Sequence, residues 1–456
     1  MNKYLKLIIG CILTICCTAC EKFLEEKSDV ALSVPDNLDD LDALMNFYTQ
    51  FVDDPQTGEI SSADFYLSDV NLASLLSSDA RNAYLWTDDV FLEDNANDWN
   101  TIYSSIYYSN LVLEKLAKLE KEGTVTDRSR FNRIKGEALF NRGRKYLGGV
   151  WIWGKVYNES SAAIDLGMPL RLTSNFNEKI ERANIRDTYQ QIIHDLKTST
   201  LLLPDVADHL VKPSRAAALA MLSRTYLSMG KYQEAVIYAD SALQLKHDLL
   251  DFNTLDRSKK LPIDPYNAEV LLSAALRSSQ ILGQSRLRVT EELVNLFADN
   301  DLRKPMFFTL NADQSYSFRA YFGNTGGTSP FSGPAVNEMY LNRAEGNCRI
   351  GNLDLAIADM NRLLAARFKL ADFTPWPITL SKEELLQKIL LERRKELLYR
   401  GIRWIDIKRL NSTGADIDLV RNVNGKKYEL KANELRWILQ LPRTVIELGG
   451  YTPNPR

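Results

Sequence analysis

Two long stretches of the chain place apolar residues at steps of three and four positions, which is the spacing of one helical face. The first runs from Trp99 to Leu119 and carries Ile102 and Ile106 on that face. The second runs from Phe131 to Leu147 and carries Ala138 in the same way. Because few residues separate the two stretches, the sequence predicts an antiparallel pair of long helices.

A second pair of helices is predicted after Pro213 and Ser214, which suit the start of a helix. Small residues recur where two helices would cross closely, and Gly230 falls in the turn. The pattern consists of Leu222, Ser223, Tyr226, Gly230, Ala235, Ala239, Ala242 and Leu243. A looser repeat consists of Ala344, Gly351, Ala356, Met360 and Leu363. This spacing is typical of tetratricopeptide pairs, and the insertions between them predict a helical scaffold with loops rather than a regular array.

Three segments interrupt the helical pattern. Residues 148–174 contain glycines and a proline and cannot be helical throughout. Residues 311–334 mix aromatic residues with glycines, which favours a surface loop that carries function. Residues 417–430 alternate around Asn424 and Gly425, a strong signal for a β-hairpin. The predicted fold is therefore mainly α-helical, with long loops and one small β-hairpin.

The N-terminus has the order of a bacterial lipoprotein leader. A basic start is followed by an apolar stretch too short to span a bilayer, and small Ala19 precedes Cys20. The sequence predicts a signal peptide over residues 1–19 and one globular unit over residues 20–456. Acyl chains on Cys20 would then anchor the protein to a membrane.

Other cysteines leave alternatives to this interpretation. Cys16 and Cys17 are rival acceptors, and Cys17 occupies a position where a branched aliphatic residue is usual in a lipobox. Ile15 before Cys16 is bulky, so Cys20 fits the signal peptidase best. An ordinary cleaved signal peptide is the other alternative. Cys348 lies in an apolar helical pattern and is predicted to be a small core residue.

Composition and motifs argue for binding rather than catalysis. The formal net charge is −3 and no basic patch appears, so nucleic acid is not an expected partner. The three histidines have no metal-ligand spacing, and there is no nucleophile elbow or phosphate loop, so neither metal nor cofactor is expected. Acidic pairs such as Asp39-Asp40 and Asp88-Asp89 are better explained as solvated charge than as a glycosidase pair.

The strongest motif lies near the C-terminus and combines charge with apolar residues. Glu392 and Glu396 share one helical face, and Arg403, Trp404 and Asp406 follow after a glycine turn. Alternating charges of this kind favour a partly buried salt-bridge network of Glu396, Arg403 and Asp406. Direct contact with a ligand is the less favoured alternative.

Several motifs occur in a fixed order along nearly the whole chain. They are Cys20-x-x-Phe23-Leu24-Glu25, Trp99-x3-Tyr103-x2-Ile106-x3-Asn110, Gly136-Glu137-Ala138-x-Phe140-x-Arg142, Trp153-Gly154, the tetratricopeptide pair, the Glu392 segment and Leu441-Pro442. In this order they resemble the SusD/RagB family of outer-membrane nutrient-binding lipoproteins. Arg400 departs from the family, which usually has an acidic residue there, and Leu441-Pro442 replaces a common Ile-Pro step.

The resemblance implies a SusD-like α-helical fold with tetratricopeptide-like pairs and no catalytic activity. It also implies a lipid-anchored protein in the outer membrane, facing the cell exterior, that acts as a lid on a SusC-type TonB-dependent transporter. The implied ligand is an oligosaccharide, with a peptide as the alternative in some branches. A tetratricopeptide scaffold that binds a protein partner is the rival interpretation.

Aromatic residues beside polar ones mark the predicted ligand site, because exposed rings stack on sugars and charged groups orient hydroxyls. Two groups in predicted loops have this composition. The first is Asp79, Arg81, Asn82, Tyr84 and Trp86, and the second is Tyr316, Phe318, Arg319 and Tyr321. The alternative is that rings such as Trp86 and Tyr321 are ordinary core residues.

Substitution of Cys20 tests the anchor. Cys20→Ala should abolish metabolic lipid labelling and release the protein in soluble form, because the acyl acceptor is gone. Cys17→Ala serves as the matched control and should keep its label. Persistent labelling of the Cys20 variant would move the acceptor to Cys16 or Cys17.

Overall fold

The computed structural model of the chain describes residues 35–93, 97–321 and 329–456. Cys20, the predicted leader and the glycine-rich part of the 311–334 segment lie outside the described residues. The α-helices are α1 (Leu38–Asn46), α2 (Thr49–Val52), α3 (Thr57–Ser61), α4 (Asp69–Ala73), α5 (Ser78–Leu85), α6 (Asp98–Glu122), α7 (Arg128–Trp153), α8 (Ile185–Leu202), α9 (Arg215–Ser228), α10 (Tyr232–Leu245), α11 (Glu291–Asn295), α12 (Arg303–Phe307), α13 (Val336–Ile350), α14 (Leu353–Ala365), α15 (Lys382–Glu396), α16 (Arg403–Asn411) and α17 (Arg443–Gly449).

The strands are short and form small sheets. They are β1 (Asp53–Asp54), β2 (Phe65–Tyr66), β3 (Leu166–Pro169), β4 (Arg182–Asn184), β5 (Ala275–Leu276), β6 (Arg288–Val289), β7 (Phe308–Leu310), β8 (Tyr316–Phe318), β9 (Leu419–Val423) and β10 (Lys426–Leu430). An antiparallel sheet has the order β2-β6-β8-β7, and β1 pairs in parallel with β5. Strands β3 and β4 form a further antiparallel pair.

The helical body is a row of helices in which each packs on its neighbours. Helix α6 packs on α7, α7 on α8, α8 on α9, α9 on α10, α10 on α13, and α13 on both α14 and α15. Where α13 crosses α10, a Cβ on Gly346 would lie 2.5 Å from Val236 Cγ2, so glycine is required there. The predicted helix pairs are confirmed, and Gly230 and Gly351 turn between helices with φ of +71° and +96°.

Local sequence signals set the helix boundaries. Asn97 caps α6, since its Oδ1 accepts from Trp99 N at 3.0 Å and Asn100 completes a capping box. Ser214 caps α9 by accepting from Ala217 N at 3.2 Å. None of the helices in the described part of the chain combines the length and the hydropathy that a membrane span requires.

The predicted loops have mixed outcomes. The hairpin is confirmed, with Asn424 and Gly425 in the turn between β9 and β10 at φ of 48° and 74°. The prediction of a surface loop over residues 311–334 is wrong for the described residues at both ends of this segment. At its start, β8 forms a hairpin with β7, which begins before residue 311. Tyr321 and Phe331 are buried. Cys348 is buried in α13, as predicted.

The charged segment near the C-terminus takes part in buried ion pairs. Arg303, which is fully buried, donates from Nη1 to Glu396 Oε2 at 3.1 Å and from Nη2 to Glu392 Oε2 at 2.5 Å. Arg367 donates from Nε to Glu396 Oε1 at 2.9 Å and from Nη2 to Glu269 Oε1 at 2.5 Å. Buried charges are tolerated here because each guanidinium meets carboxylates.

The predicted network of Glu396, Arg403 and Asp406 is wrong in its membership. Asp406 accepts from Arg393 Nε at 2.7 Å and from Arg409 Nε at 2.8 Å. Arg403 instead lies with its Nε 3.1 Å from Asp64 Oδ2. The three residues therefore belong to separate clusters.

Trp404 belongs to the core rather than to a surface. Its ring is 1% exposed and packs on Trp437 with ring centroids 4.5 Å apart. This aromatic pair and the ion pairs fix the C-terminal segment against the helical body. These contacts account for the burial of the segment from Glu392 to Asp406 without a ligand.

Acid should weaken the Asp406 cluster. Burial raises the pKa of Asp406, but the charges of Arg393 and Arg409 outweigh it and lower the pKa to about 2. The stabilisation is thus present above about pH 4 and is lost as the pH falls toward 2, by an amount on the order of 2 kcal/mol. Urea unfolding should show that the stability gap between wild type and Asp406→Asn narrows over this window. A gap that stays constant from pH 5 to pH 3 would contradict the assignment.

Candidate ligand-binding cleft

A cleft of about 350 Å³ opens between the starts of α3, α5 and α6 and the segment that follows β5. Apolar contacts come from Ile60, Leu76 and Phe91. The polar side chains that line the cleft are Gln56, Thr57, Ser77, Asp79, Glu93, Asn97, Asp98, Arg277, Ser278, Ser279 and Gln280. Most of the residues that line the cleft are therefore polar, and they come from segments that are distant in the sequence.

Asp98 links the starts of α3 and α6. Its Oδ2 accepts from Thr57 N at 2.7 Å and from Thr57 Oγ1 at 2.5 Å. Its Oδ1 is buried and accepts no hydrogen bond from the described residues, and the same holds for Gln56 Oε1. Burial raises the pKa of Asp98, and the hydrogen bonds from Thr57 oppose that shift.

Asp79 and Glu93 form the acidic wall of the cleft. Asp79 Oδ1 accepts from Leu92 N at 2.9 Å and from Glu93 N at 3.2 Å, which fixes the segment after α5. Glu93 Oε1 accepts from Ser78 N at 2.6 Å at the start of α5. Burial raises the pKa of Asp79. Both carboxylates lie at the N-terminal end of α5, where the helix dipole favours negative charge.

Arg277 supplies a positive charge on the opposite wall. Its side chain makes no hydrogen bond or ion pair with any described residue, although its charge lowers the pKa of Asp98. The two walls are joined where Leu76 N donates to Gln280 Oε1 at 3.0 Å. A guanidinium with unused donors beside carboxylates is suited to hydroxyl groups, which both donate and accept hydrogen bonds.

Across the described ranges, no three His, Cys, Asp or Glu side chains cluster as a metal site. The cleft contains carboxylate, amide, hydroxyl and guanidinium groups, all of which can bind polar ligands without forming a covalent bond.

Comparison with known families identifies the chain. A family model described as starch-binding associating with outer membrane matches residues 22–227, and the model of the SusD family matches residues 336–442. The chain belongs to the SusD/RagB family. No curated protein matches its sequence.

Solved SusD structures share the fold of this SusD/RagB protein. A SusD superfamily protein from Bacteroides thetaiotaomicron has a TM-score of 0.75 at 21% identity, covering 92% of this chain and 100% of its own. A SusD-like carbohydrate binding protein from Bacteroides vulgatus has a TM-score of 0.68 at 21% identity, covering 91% and 96%. A laminarin binding SusD-like protein has a TM-score of 0.65 at 18% identity, covering 91% and 97%. The predicted SusD-like helical fold is confirmed.

In the first predicted group of this SusD/RagB chain, only Asp79 lines the cleft. Arg81 donates from Nη2 to Leu75 O at 2.9 Å, and Asn82 donates from Nδ2 to Val90 O at 3.3 Å. These polar side chains bind the backbone of their own neighbourhood. Their presence in the sequence therefore did not mark an exposed surface.

Tyr84 and Trp86 are buried, so the expectation of exposed rings in this group is wrong. They are 1% and 2% exposed, and Trp86 Nε1 donates to Ser61 O at 2.8 Å. The guanidinium of Arg421 lies between them, with its Cζ 3.8 Å from the Tyr84 centroid and 4.4 Å from the Trp86 centroid. Both residues are core residues, which is the alternative that the sequence left open.

The second predicted group lies outside the cleft. Phe318 and Tyr321 are buried, and Tyr321 Oη donates to Leu282 O at 2.8 Å, so the expectation of an exposed Tyr321 ring is also wrong. Tyr316 is partly buried in β8. Arg319 donates to Lys259 O at 3.0 Å and is committed to backbone carbonyls.

An aromatic chain connects the two groups inside the core rather than at a surface. Phe65 lies 5.8 Å from Tyr84 and 6.2 Å from Tyr399 between ring centroids. Tyr399 lies 4.7 Å from Phe318, which lies 5.2 Å from Tyr321. The rings that were expected to be exposed for a ligand therefore pack into one core cluster.

Sequence reasoning missed Gln56, Thr57, Asn97, Asp98 and Arg277. The sequence did contain a signal for Asn97 and Asp98. They lie at the start of the predicted Trp99 helix, and the backbone N–H groups at a helix start need hydrogen-bond partners. The sequence contained no such signal for Arg277, because its position opposite Asp98 depends on the pairing of β5 with β1.

Truncation of Trp86 tests its core role. Trp86→Ala should lower the free energy of unfolding by about 3 to 5 kcal/mol, because a large buried ring leaves a cavity. Tyr66→Ala is a matched control whose ring is 40% exposed, and it should change stability by less than about 1 kcal/mol. Urea denaturation measures both. A Trp86 variant with native stability and lost glycan binding would restore the ligand role.

Proposed function

We propose that this SusD/RagB protein binds an oligosaccharide in the cleft around Asp98 and Arg277. The observation that carries the proposal is the set of polar groups in the cleft that the protein itself leaves unused. Among the described residues, the Arg277 side chain has donors without acceptors, and Gln56 Oε1 is a buried acceptor without a donor. Sugar hydroxyls supply both kinds of partner.

The acidic lining shapes the expected specificity. Asp79, Glu93 and Asp98 accept hydrogen bonds from hydroxyls, and Arg277 donates to ring or hydroxyl oxygens. The aromatic ring in the described lining, that of Phe91, is 4% exposed and packs 5.9 Å from Trp153. Polar contacts therefore replace the stacking that the sequence had led us to expect from Trp86 and Tyr321.

Relatives support a carbohydrate ligand. The matched family is described as starch-binding and as associating with the outer membrane. Two of the structural neighbours are described as carbohydrate binding and laminarin binding. These descriptions support a carbohydrate as the ligand that we propose for the cleft.

The remaining parts of the proposal come from the sequence and the family resemblance. Cys20 would carry the lipid that anchors the protein in the outer membrane, facing the exterior. A SusC-type TonB-dependent transporter would then receive the oligosaccharide from the cleft. Co-purification of a large β-barrel from gently solubilised outer membrane supports the delivery step, and its reproducible absence counts against it.

Replacement of Arg277 tests the cleft. Arg277→Ala should weaken oligosaccharide binding about 10- to 100-fold, because hydrogen bonds to a charged group contribute roughly 1.5 to 3 kcal/mol. The fold should persist, since the side chain makes no hydrogen bond or ion pair with a described residue that would be lost. Isothermal titration against plant, host and microbial glycans measures the affinity.

Arg215→Ala is the matched control for this test. Arg215 is an exposed arginine that pairs with Asp205 at 3.0 Å and lies outside the cleft, so its loss should leave binding unchanged. Equal affinities of the wild type and the Arg277 variant would contradict the cleft assignment. Tight capture of peptides with no binding to any glycan would favour the peptide-binding alternative.

A further inference from the structure

The charged side chains that line the ligand-binding cleft do not balance one another. Three of them are the carboxylates of Asp79, Glu93 and Asp98, and the described lining contains one cation, Arg277. Arg277 lies near Asp98, because its charge opposes the rise that burial causes in the pKa of that carboxyl group. Since these two charges offset each other, the net charge of the described lining is that of Asp79 and Glu93.

Arg277 also has a carboxylate beside it that does not line the cleft. Burial raises the pKa of Asp53, and the charges of Lys145 and Arg277 oppose this rise. Lys145 and Arg144 in turn lie 3.3 Å and 3.5 Å from Asp54 Oδ1. The two aspartates match Lys145 and Arg144 in number, so the group behind the cleft adds no positive charge to it.

Two further arginines lie near the cleft without lining it. Arg81 donates from Nη2 to Leu75 O at 2.9 Å, and Arg286 donates from Nη1 to Asn71 O at 3.1 Å. Both guanidinium groups are therefore directed at the backbone of the segment that precedes α5. They do not offset the carboxylates of the cleft wall.

Arg443 approaches the cleft from the C-terminal segment, where its backbone N donates to Phe91 O at 3.2 Å. Its side chain is exposed, and its Nε donates to Glu447 Oε1 at 2.7 Å, so its charge is paired outside the cleft. Asp79 agrees with this count of charges. Burial, together with the charge of Glu93, raises the pKa of Asp79, and no described cation lowers it.

Hydrogen bonds hold the carboxylates of Asp79 and Glu93 at the cleft wall. Asp79 Oδ1 accepts from Leu92 N at 2.9 Å and from Glu93 N at 3.2 Å. Glu93 Oε1 accepts from Ser78 N at 2.6 Å and from Ser78 Oγ at 2.5 Å. Neither carboxylate can turn away from a ligand without losing these bonds. Because both side chains are at least partly buried, water and salt screen their charges less than those of a surface group.

We propose that the cleft selects uncharged sugar units and excludes uronates. The selectivity rests on the function proposed above, the binding of an oligosaccharide in this same cleft. Hydroxyl groups donate hydrogen bonds to the carboxylates of Asp79 and Glu93, whereas a ligand carboxylate is repelled by them. Arg277 does not compensate for this repulsion, because Asp98 and Asp53 already offset its charge.

Matched pairs of glycans test this selectivity. Laminarin, soluble starch and mannan are titrated calorimetrically against the mature protein, each also after oxidation at C6, which replaces a hydroxymethyl group by a carboxylate and keeps the linkage. The oxidised form should bind at least about tenfold more weakly than its neutral parent, because like charges face each other. The ratio of the two affinities should shrink at high salt, which screens the repulsion.

Glu93→Gln removes one negative charge and keeps an oxygen that can accept from Ser78. In this variant the ratio of neutral to oxidised affinity should fall by about threefold or more. Glu114→Gln is the matched control, because Glu114 accepts from Ser174 N at 2.7 Å and from Ser174 Oγ at 2.5 Å but lies outside the cleft. The control should keep the ratio of the wild type.

The possible failures can be distinguished. An oxidised glycan that binds as tightly as its neutral parent would overturn the selectivity and leave oligosaccharide binding in place. The same holds if Glu93→Gln and Glu114→Gln give equal ratios. Absence of binding by all three glycans in both forms would overturn the proposed function and the selectivity together.

Discussion

Buried ion pairs between distant segments hold this fold together. Arg303 and Arg367 meet on Glu396 of α15, and Arg367 also reaches Glu269. None of these charges is tolerable in the interior without its partners, so the network forms only when all the segments are in place. Such a network specifies one arrangement of helices that are otherwise joined by apolar contacts of low directionality.

The same constraint extends from the C-terminal segment to the ligand-binding cleft. Gly401 N, in the turn after α15, donates to Glu59 Oε2 of α3 at 2.9 Å. Burial raises the pKa of Glu59 to about 7. Helix α3 begins at Thr57, which donates to Asp98 in the cleft. A short series of contacts therefore connects the Glu392 to Asp406 motif to the polar groups that we assign to ligand binding.

Aromatic residues illustrate where reasoning from composition fails. Trp86 and Tyr84 are surrounded in the sequence by Asp79, Arg81 and Asn82, which suggested an exposed binding surface. In the structure those polar side chains bind nearby backbone, and Arg421 from β9 stacks between the rings. Aromatic residues of a core and aromatic residues of a binding site can have the same neighbours in the sequence. Only contacts between distant segments distinguish the two cases.

The sequence by itself determined the helix pairs, the turns at Gly230 and Gly351 and the Asn424-Gly425 hairpin. These features depend on local periodicity and backbone preference, which a short stretch of residues encodes. The tertiary structure decided which carboxylate each arginine meets and which side chains line the cleft. Asp98 and Arg277 become neighbours only through the packing of the whole chain, so no local sequence pattern predicts that they lie together.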